Sequence, residues 1–230
     1  MKLEDLLAKH RSMGKRGAKR CLSDGIVRVD GMPAADGRLD VDRFAAITAG
    51  EEVIQPGGRA LYIMLHKPAG VVSATIDALH PTVIDLIDDP DKGTLHLAGR
   101  LDRATTGLLL LTNDGRWSKR ITLPERKVAK VYLVETMELI SSEAVAAFFQ
   151  GFHFHTEDIF TAPAALEILD HRRARLTLYE GRYHQVKRMF HRVGNRVVSL
   201  HRESVGGIML PGDLRPGEWR ELTPAEVAGA

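Results

Sequence analysis

The short apolar run GLLLLT at residues 107–112 is the feature that most constrains the fold. The turn residues Asn113-Asp114-Gly115 close it, and a short continuous apolar run bounded by turn residues is typical of a strand. Further short runs at residues 61–65, 130–136 and 174–178 follow the same pattern. Because the predicted strands outnumber the helices and alternate with them irregularly, the sequence predicts an α+β fold. We expect an extended mixed or mainly antiparallel sheet with flanking helices, and not a βαβ repeat.

Turn residues place several further elements along this sheet. The Pro-Ala-Gly turn at residues 68–70 predicts a second strand directly after it. The His-Pro turn at residues 80–81 predicts a short helix. The stretch EGRYHQVKRMFHRVG at residues 180–194 predicts a tight turn followed by a helix that Gly194 ends.

The first part of the chain is predicted to form a small unit of its own. Its opening leucines follow helical spacing, and residues 18–22 predict a second short helix. Asp30-Gly31 within an alternating stretch is a strong hairpin signal. Pro56-Gly57-Gly58 has the composition of a linker. The predicted domains are therefore residues 1–56, a small α+β unit, and residues 57–230, which hold the larger sheet.

The chain is nearly neutral, but its charges are unevenly distributed. It carries 32 Lys and Arg against 30 Asp and Glu, a formal net charge of +2. Residues 2–28 and 172–202 are rich in cations, and Glu180 is the single acid of the second stretch. These zones indicate either two faces made for a polyanion or solvated faces whose acids lie nearby in the fold.

Several classes of chemistry lack the residues they need. Cys21 is the single cysteine, so no internal disulfide and no cysteine-based metal site is possible. The sequence has no phosphate-binding glycine loop, no G-x-S-x-G serine motif and no H-x-x-x-H motif with a carboxylate, so no metal is predicted. The N-terminus lacks the apolar core of a signal peptide, and no run approaches the roughly 20 apolar residues of a membrane span. We therefore expect a cytoplasmic protein.

Asp102 is the candidate reactive group. It lies between Arg100 and Arg103, just ahead of the apolar strand, in GRLDRATTGLLLLTNDG at residues 99–115. Neighbouring guanidinium groups favour the ionised form of a carboxyl group. An ionised carboxylate held at a rigid sheet can act as a nucleophile or a base. The alternative is a loop aspartate that caps a turn, and spacing alone leaves both interpretations open.

Four motifs in order resemble those of the pseudouridine synthases, in the branch that modifies small-subunit ribosomal RNA and its close large-subunit relatives. The stretch GRLDRATTGLLLLTNDG resembles the catalytic motif of the family, and LHKPAGVVSAT resembles its first motif, with His66 in place of the usual Asn. KVYLVE is similar to the strand of its active-site tyrosine, and EGRYHQVKRMFHRVGNRVVSLHRESVGGIML to its C-terminal motif. Residues 1–56 resemble, more loosely, an S4-type RNA-binding domain. The resemblance spans nearly all of the chain.

The resemblance implies a set of site residues. Asp102 matches the catalytic aspartate, Tyr132 the tyrosine that packs against the target base, and Lys187 the basic residue that pairs with the aspartate. The candidates for RNA binding are Lys15, Arg16, Lys19, Arg20, Arg100, Arg182, His184, Gln185 and Arg188.

The resemblance also implies a reaction and a partner. Uridine is isomerised to its C-glycoside without redox change or loss of atoms, so no cofactor is expected. The expected partner is 16S ribosomal RNA, free or in the assembling small subunit, and the protein is expected to act as a monomer away from membranes. Three alternatives stay open: the same reaction on a uridine of 23S ribosomal RNA, an inactive RNA-binding assembly factor, and a carboxylate-based hydrolase. The hydrolase would need a second placed acid, for which Asp114 is available in the turn beyond the strand.

Overall fold

The chain divides into two compact units, Met1–Ala60 and Leu61–Ala230. This computed structural model describes residues 1–10 and 12–230. The first unit ends four residues beyond the predicted boundary at residue 56. Among the described residues, no helix has both the length and the apolar character needed to cross a membrane.

The first unit packs two helices on a small antiparallel sheet. Its strands lie in the order β2-β1-β3-β4. The predicted hairpin is confirmed, with Asp30 and Gly31 at φ +50° and +80° in the turn, as a two-residue loop of this type requires. The elements are α1 (Leu3–Lys9), α2 (Gly14–Ser23), β1 (Val27–Val29), β2 (Met32–Pro33), β3 (Ala46–Ala49) and β4 (Glu52–Pro56).

The second unit is built on a larger sheet with helices against it. The first half of its elements is β5 (Tyr62–Lys67), β6 (His96–Leu97), β7 (Thr106–Thr112), α3 (Gly115–Thr122), β8 (Lys130–Thr136), α4 (Glu143–Gln150), β9 (His153–Phe154) and β10 (Ile159–Phe160). The second half is β11 (Ala165–Ile168), β12 (Arg173–Leu178), α5 (Gln185–Arg192), β13 (Val197–Val205), β14 (Ile208–Met209), β15 (Trp219–Glu221) and α6 (Pro224–Ala228).

Within the described residues, nine of these strands form one sheet in the order β11-β12-β8-β13-β7-β5-β15, with β14 beside β13 and β6 beside β7. Strands β9 and β10 form a separate hairpin. Neighbours in the large sheet are antiparallel except for β7 and β13, which are parallel. The predicted α+β class with a mainly antiparallel sheet is confirmed.

The leucine run of β7 is buried on both faces of the sheet. Leu109 and Leu111 pack into the core that also holds Tyr132, while Leu108 and Leu110 pack into the core around Trp117. A strand covered on both faces reads as a continuous apolar run instead of an alternating one. This explains why GLLLLT predicts a strand although it lacks alternation.

One close contact joins β7 to β13. Thr106 pairs with His201, and Gly107 pairs with Arg202. Gly107 has φ +106°, and a Cβ at this position would overlap the backbone of Arg202. Only glycine fits both the conformation and the space. Strand β8, which carries Tyr132, pairs with the other side of β13. The contact between Gly107 and Arg202 therefore sets the distance between Tyr132 and the segment that precedes β7.

Two sequence-based expectations are wrong and one is confirmed. After the turn at residues 68–70 the chain forms a single bridge, Val72 with Thr82, in place of a strand. Residues 83–86 form turns in place of a helix. The Asp85 carboxylate accepts from the Thr82 amide at 2.7 Å, so a side chain satisfies a backbone group that regular structure would otherwise use. The helix predicted before Gly194 is α5, and Gly194 follows it with φ +72°.

Candidate active site

The loop that carries Asp102, residues 98–105 and here called the Asp102 loop, is fixed through its backbone. The buried Ser73 hydroxyl donates to the Leu101 carbonyl at 2.7 Å and accepts from the Leu101 amide at 3.1 Å. The Gly70 amide donates to the Arg103 carbonyl at 2.8 Å. Contacts on both sides of Asp102 therefore hold its backbone in place at the wall of a cleft.

Lys67 holds the same loop from the protein interior. Its fully buried ammonium donates to the carbonyls of Pro68, Arg103 and Thr105 at 2.9, 3.2 and 2.9 Å. Burial lowers the pKa of Lys67 from 10.5 to about 8, and the negative charge of Asp102 partly opposes that shift. The sequence analysis missed this residue, whose only signal was its place in LHKPAG.

Two basic side chains at the start of helix α5 lie beside the Asp102 carboxylate. Lys187 Nζ lies 3.5 Å from Oδ2, and His184 Nε2 lies 3.6 Å from the same oxygen. His184 directly precedes the helix in a left-handed conformation with φ +49°, which is uncommon for a residue other than glycine. Lys187 lies three residues later, on the same side of the helix. Helix α5 therefore brings two basic groups to one carboxylate.

The arginines that flank Asp102 in the sequence make other contacts. Arg103 donates from Nε to the Gly70 carbonyl at 3.1 Å, and Arg100 is exposed. Across residues 1–10 and 12–230, the ion pairs of Asp102 are those with helix α5. The expectation that the adjacent arginines stand beside the carboxylate is corrected: its ion pairs are with His184 and Lys187, about 80 residues along the chain, and Lys187 is the partner that the family resemblance implies.

Tyr132 and Arg202 are neighbours on β8 and β13, and both are buried and line the cleft of Asp102. The cleft has a volume of about 660 Å³, within the range of small-molecule sites. Arg202 donates from Nε to the Leu108 carbonyl at 2.8 Å and from Nη1 to the Arg100 carbonyl at 3.4 Å. Arg202 thus ties β13 to the Asp102 loop and to β7. Sequence analysis missed this role, because its partners lie 94 and 102 residues away.

The remaining candidates of the C-terminal motif make contacts within the protein. Arg182 lies 3.1 Å from Glu180, and Arg188 forms two bonds of 2.7 and 2.6 Å with Glu157. Gln185 is buried, donates to Glu180 at 2.7 Å and accepts from the Arg182 amide at 3.0 Å. The geometry of Gln185 is that of a residue that positions the turn before α5.

Helix α2 of the first unit presents its cations to the surface. The buried positions Ala18 and Leu22 pack into the core of that unit. The exposed side carries the four predicted residues Lys15, Arg16, Lys19 and Arg20. Their i, i+4 spacing places them along one side of the helix.

The cleft offers an acid–base group beside an aromatic ring. A carboxylate next to two basic groups can act as a nucleophile or a base, and the ring of Tyr132 can stack on a planar ligand. In the described part of the chain, no group of three or more His, Cys, Asp or Glu side chains is arranged to hold a metal ion.

Comparison with known proteins identifies the family of the chain. Residues 61–192 match the family model described as RNA pseudouridylate synthase. The chain is 49% identical over 227 residues to ribosomal small subunit pseudouridine synthase A of Pseudomonas aeruginosa, and 44% identical over 230 residues to the protein of that name from Escherichia coli (strain K12); each match covers 99% of both chains. A crystal structure described as a pseudouridylate synthase superposes with a TM-score of 0.72 at 38% identity, covering 100% of this chain and 99% of the other. These matches confirm the resemblance that the four motifs indicate, and the chain belongs to the RNA pseudouridylate synthase family.

Proposed function

We propose that the chain isomerises a specific uridine of 16S ribosomal RNA to pseudouridine, with Asp102 as the catalytic carboxylate. The observation that carries the proposal is the convergence of Asp102, Tyr132 and Lys187 on one cleft, from three distant segments of the chain. The reaction breaks the bond between N1 of uracil and C1′ of ribose and forms a bond between C5 and C1′. N1 gains a hydrogen and C5 loses one, so the product is an isomer.

The proposal needs Asp102 in its ionised form. The carboxylate can add to C6 of the uracil, add to C1′ of the ribose, or first take a proton from the sugar, and each route uses the anion. A bound base would exclude water and favour the neutral carboxyl group. Lys187 Nζ places a positive charge 3.5 Å from Oδ2 of Asp102, and His184 Nε2 lies 3.6 Å from the same oxygen.

Tyr132 is assigned to the target base. A uridine within structured RNA is stacked on its neighbours, so an enzyme that acts on it takes the base out of the stack. The buried Tyr132 ring lines the cleft that holds Asp102. Stacking on this ring would hold the flipped uracil while the base rotates, so that C5 takes the place of N1 opposite C1′.

The names of the relatives support the ribosomal target. Both compared proteins are named for the small ribosomal subunit, and the matches cover 99% of each chain, including the cleft and the first unit. The substrate proposed is 16S ribosomal RNA in the cytoplasm, either free or in the assembling small subunit.

The first unit is proposed to be an S4-like RNA-binding domain within residues 1–56. The exposed cations of α2 would contact the phosphate backbone of the RNA. Such contacts carry little sequence information but fix the orientation of the RNA. Arg100, Arg182 and Arg188 are assigned to phosphates near the cleft, where Arg182 and Arg188 would exchange their ion pairs with Glu180 and Glu157 for RNA.

Pseudouridine mapping of ribosomal RNA tests the substrate. RNA from cells with and without the gene is labelled with carbodiimide and read by primer extension. We expect one 16S position to lose its signal without the gene and to regain it with the wild-type gene. Loss of a 23S position would contradict the target, and no change in either RNA would contradict the enzyme function.

A further inference from the structure

The floor of the cleft carries two cations that the proposed mechanism does not use. Lys130 and Tyr132 are alternate residues of β8, so they lie on the same face of the sheet. Arg202 pairs with Tyr132 from the neighbouring strand β13. All three residues line the cleft that holds Asp102. The ring on which the uracil is proposed to stack therefore has a lysine and an arginine as its neighbours.

Neither Lys130 nor Arg202 has a carboxylate partner in the part of the chain that the structure describes. The acids of the cleft lining are Asp102 and Glu180, and each of them holds its ion pairs with residues 182–187. A positive group removed from water without a counter-charge is unfavourable, so buried charges are normally paired. The floor of the cleft therefore has an excess of positive charge.

The guanidinium group of Arg202 keeps an unused donor. Arg202 is 2% exposed, and its Nη2 is buried without a hydrogen-bond partner, although Nε and Nη1 donate to carbonyls. Among the described residues, one other buried side-chain atom lacks a partner, the hydroxyl oxygen of Thr105, and Thr105 also lines the cleft. Buried polar groups in native proteins are almost always hydrogen-bonded. Both exceptions border the same cleft, which indicates that a polar ligand completes the site.

The ammonium group of Lys130 is held close to Arg202. Lys130 is partly buried and donates to the Val128 carbonyl at 3.1 Å. Burial lowers the pKa of Lys130, and the charge of Arg202 lowers it further. The two side chains are therefore near enough to repel each other. A ligand that brings negative charge beside them would offset both the repulsion and the cost of burial.

The proposed reaction puts such a negative charge on the base. When the bond between N1 and C1′ breaks, its electron pair stays with the uracil, and N1, O2 and O4 share the charge. C1′ then bonds to the Asp102 carboxylate or, once Asp102 has taken a proton from C2′, forms a double bond with C2′. Addition of the carboxylate to C6 instead sends charge to O4 before that bond breaks. The base finally bonds to C1′ through C5, the carboxylate leaves or returns its proton, C5 loses a proton and N1 gains one.

We propose that Lys130 and Arg202 form a subsite that stabilises the negative charge of the detached uracil while the base lies on Tyr132. Charged groups fixed in advance where charge develops are among the largest contributions to catalysis. Lys130 is the member of the pair to test, because Arg202 also ties β13 to the Asp102 loop. The inference rests on the proposed function, since it takes the cleft to hold a uridine.

The test compares two substrates whose bases differ in how well they carry negative charge by themselves. One is 16S ribosomal RNA transcribed with uridine, and the other is the same RNA transcribed with 5-fluorouridine. Fluorine at C5 withdraws electrons, so the detached base needs less stabilisation from the protein. The measured quantity is the single-turnover rate, at saturating protein, at which the target nucleotide loses its bond between N1 and C1′.

The proteins are the wild type, Lys130→Met, Lys130→Arg and the control Lys119→Met, which changes an exposed lysine of α3 outside the cleft lining. We expect Lys130→Met to slow the reaction of uridine by roughly 100-fold, the scale of one well-placed electrostatic group, and to slow that of 5-fluorouridine clearly less. Lys130→Arg keeps the charge and should retain most of the activity. Lys119→Met should match the wild type on both substrates, and all four proteins should bind RNA within a few-fold of one another.

Equal slowing of both substrates by Lys130→Met would overturn the inference, because a lysine that only supports the fold or the binding of RNA does not respond to the fluorine. An unchanged rate on uridine would overturn it as well. Thermal unfolding checks each variant, and Lys130→Gln, which also lacks the charge, replaces Lys130→Met if that protein does not fold. A wild type that converts neither substrate would contradict the proposed function itself, and the inference with it.

Discussion

Gly107 lies directly against the backbone of Arg202, and this contact fixes the spacing of the two strands that flank the cleft. One strand follows the Asp102 loop, and the other pairs with the strand of Tyr132. Gly107 therefore couples the position of the Asp102 carboxylate to the position of the Tyr132 ring.

Gly107→Ala is expected to lower both stability and activity. The added methyl group overlaps the Arg202 backbone in a conformation that L residues rarely adopt, which costs roughly 2–4 kcal/mol of the free energy of unfolding. Chemical denaturation measures the loss. Gly93→Ala is the matched control, because a Cβ there meets no atom within 4 Å. Identical unfolding curves for Gly107→Ala and the wild type would contradict this account of the contact.

Lys187→Met is expected to slow turnover while leaving the fold intact. The ammonium group is partly exposed and lies 3.5 Å from the Asp102 carboxylate, so its loss removes charge from the site without opening a cavity. We expect kcat to fall at least roughly 100-fold, the scale of losing one well-placed electrostatic group. Lys187→Arg keeps the charge and should retain most of that activity. A Lys187→Met protein that is unfolded would instead show that the lysine is structural.

The buried Lys67 predicts a pH dependence of stability. Its pKa is about 8 in the folded protein against 10.5 unperturbed. Between these values the unfolded chain binds the proton and the folded chain does not, so this residue makes the free energy of unfolding rise with pH over that window. Below about pH 8 both states are protonated and its contribution is constant.

Denaturation curves from neutral to alkaline pH check this dependence. The wild type should gain stability relative to Lys67→Met as the pH rises above about 8. Lys119→Met, at an exposed position on α3, should follow the wild type. Parallel curves for the wild type and Lys67→Met would contradict a lowered pKa at Lys67.

Neutralising helix α2 is expected to weaken RNA binding but not the chemistry. Changing the four cations to Gln removes up to four phosphate contacts, which reduces the slope of log K against log salt by as much as about 3. The variant combines Lys15→Gln, Arg16→Gln, Lys19→Gln and Arg20→Gln. A double variant of Arg38 and Arg43 to Gln, in the same unit but on another segment, is the control. An unchanged slope in the quadruple variant would contradict the RNA-binding role of the first unit.

The sequence was sufficient for elements whose local pattern decides their structure. The buried strand at residues 107–112, the Asp30-Gly31 hairpin and the helix ended by Gly194 all follow from nearby residues. The strand expected after Gly70 was wrong, because a strand needs a partner and local alternation does not supply one. The chain there makes only the single bridge at Val72.

Sequence analysis identified fewer residues of the candidate site, because the partners of those residues lie far away along the chain. Lys67 and Arg202 lie in strands, where a charged residue suggests a solvent-facing position. Both are instead buried, and each donates a hydrogen bond to a backbone carbonyl of a distant segment. The local pattern suggested Arg100 and Arg103 as the partners of Asp102, whereas its ion pairs are with His184 and Lys187, of which the family resemblance indicates Lys187. Such pairings depend on the parallel contact of β7 with β13, which no local spacing predicts.

The most direct test of the central claim is pseudouridine formation by purified Asp102→Asn on 16S ribosomal RNA, measured together with RNA affinity. Asp88→Asn, an exposed aspartate outside the cleft lining, is the control. The account predicts that Asp102→Asn forms no pseudouridine and binds RNA within a few-fold of the wild type, while Asp88→Asn matches the wild type in both. Near-normal turnover by Asp102→Asn would contradict its role as the catalytic carboxylate.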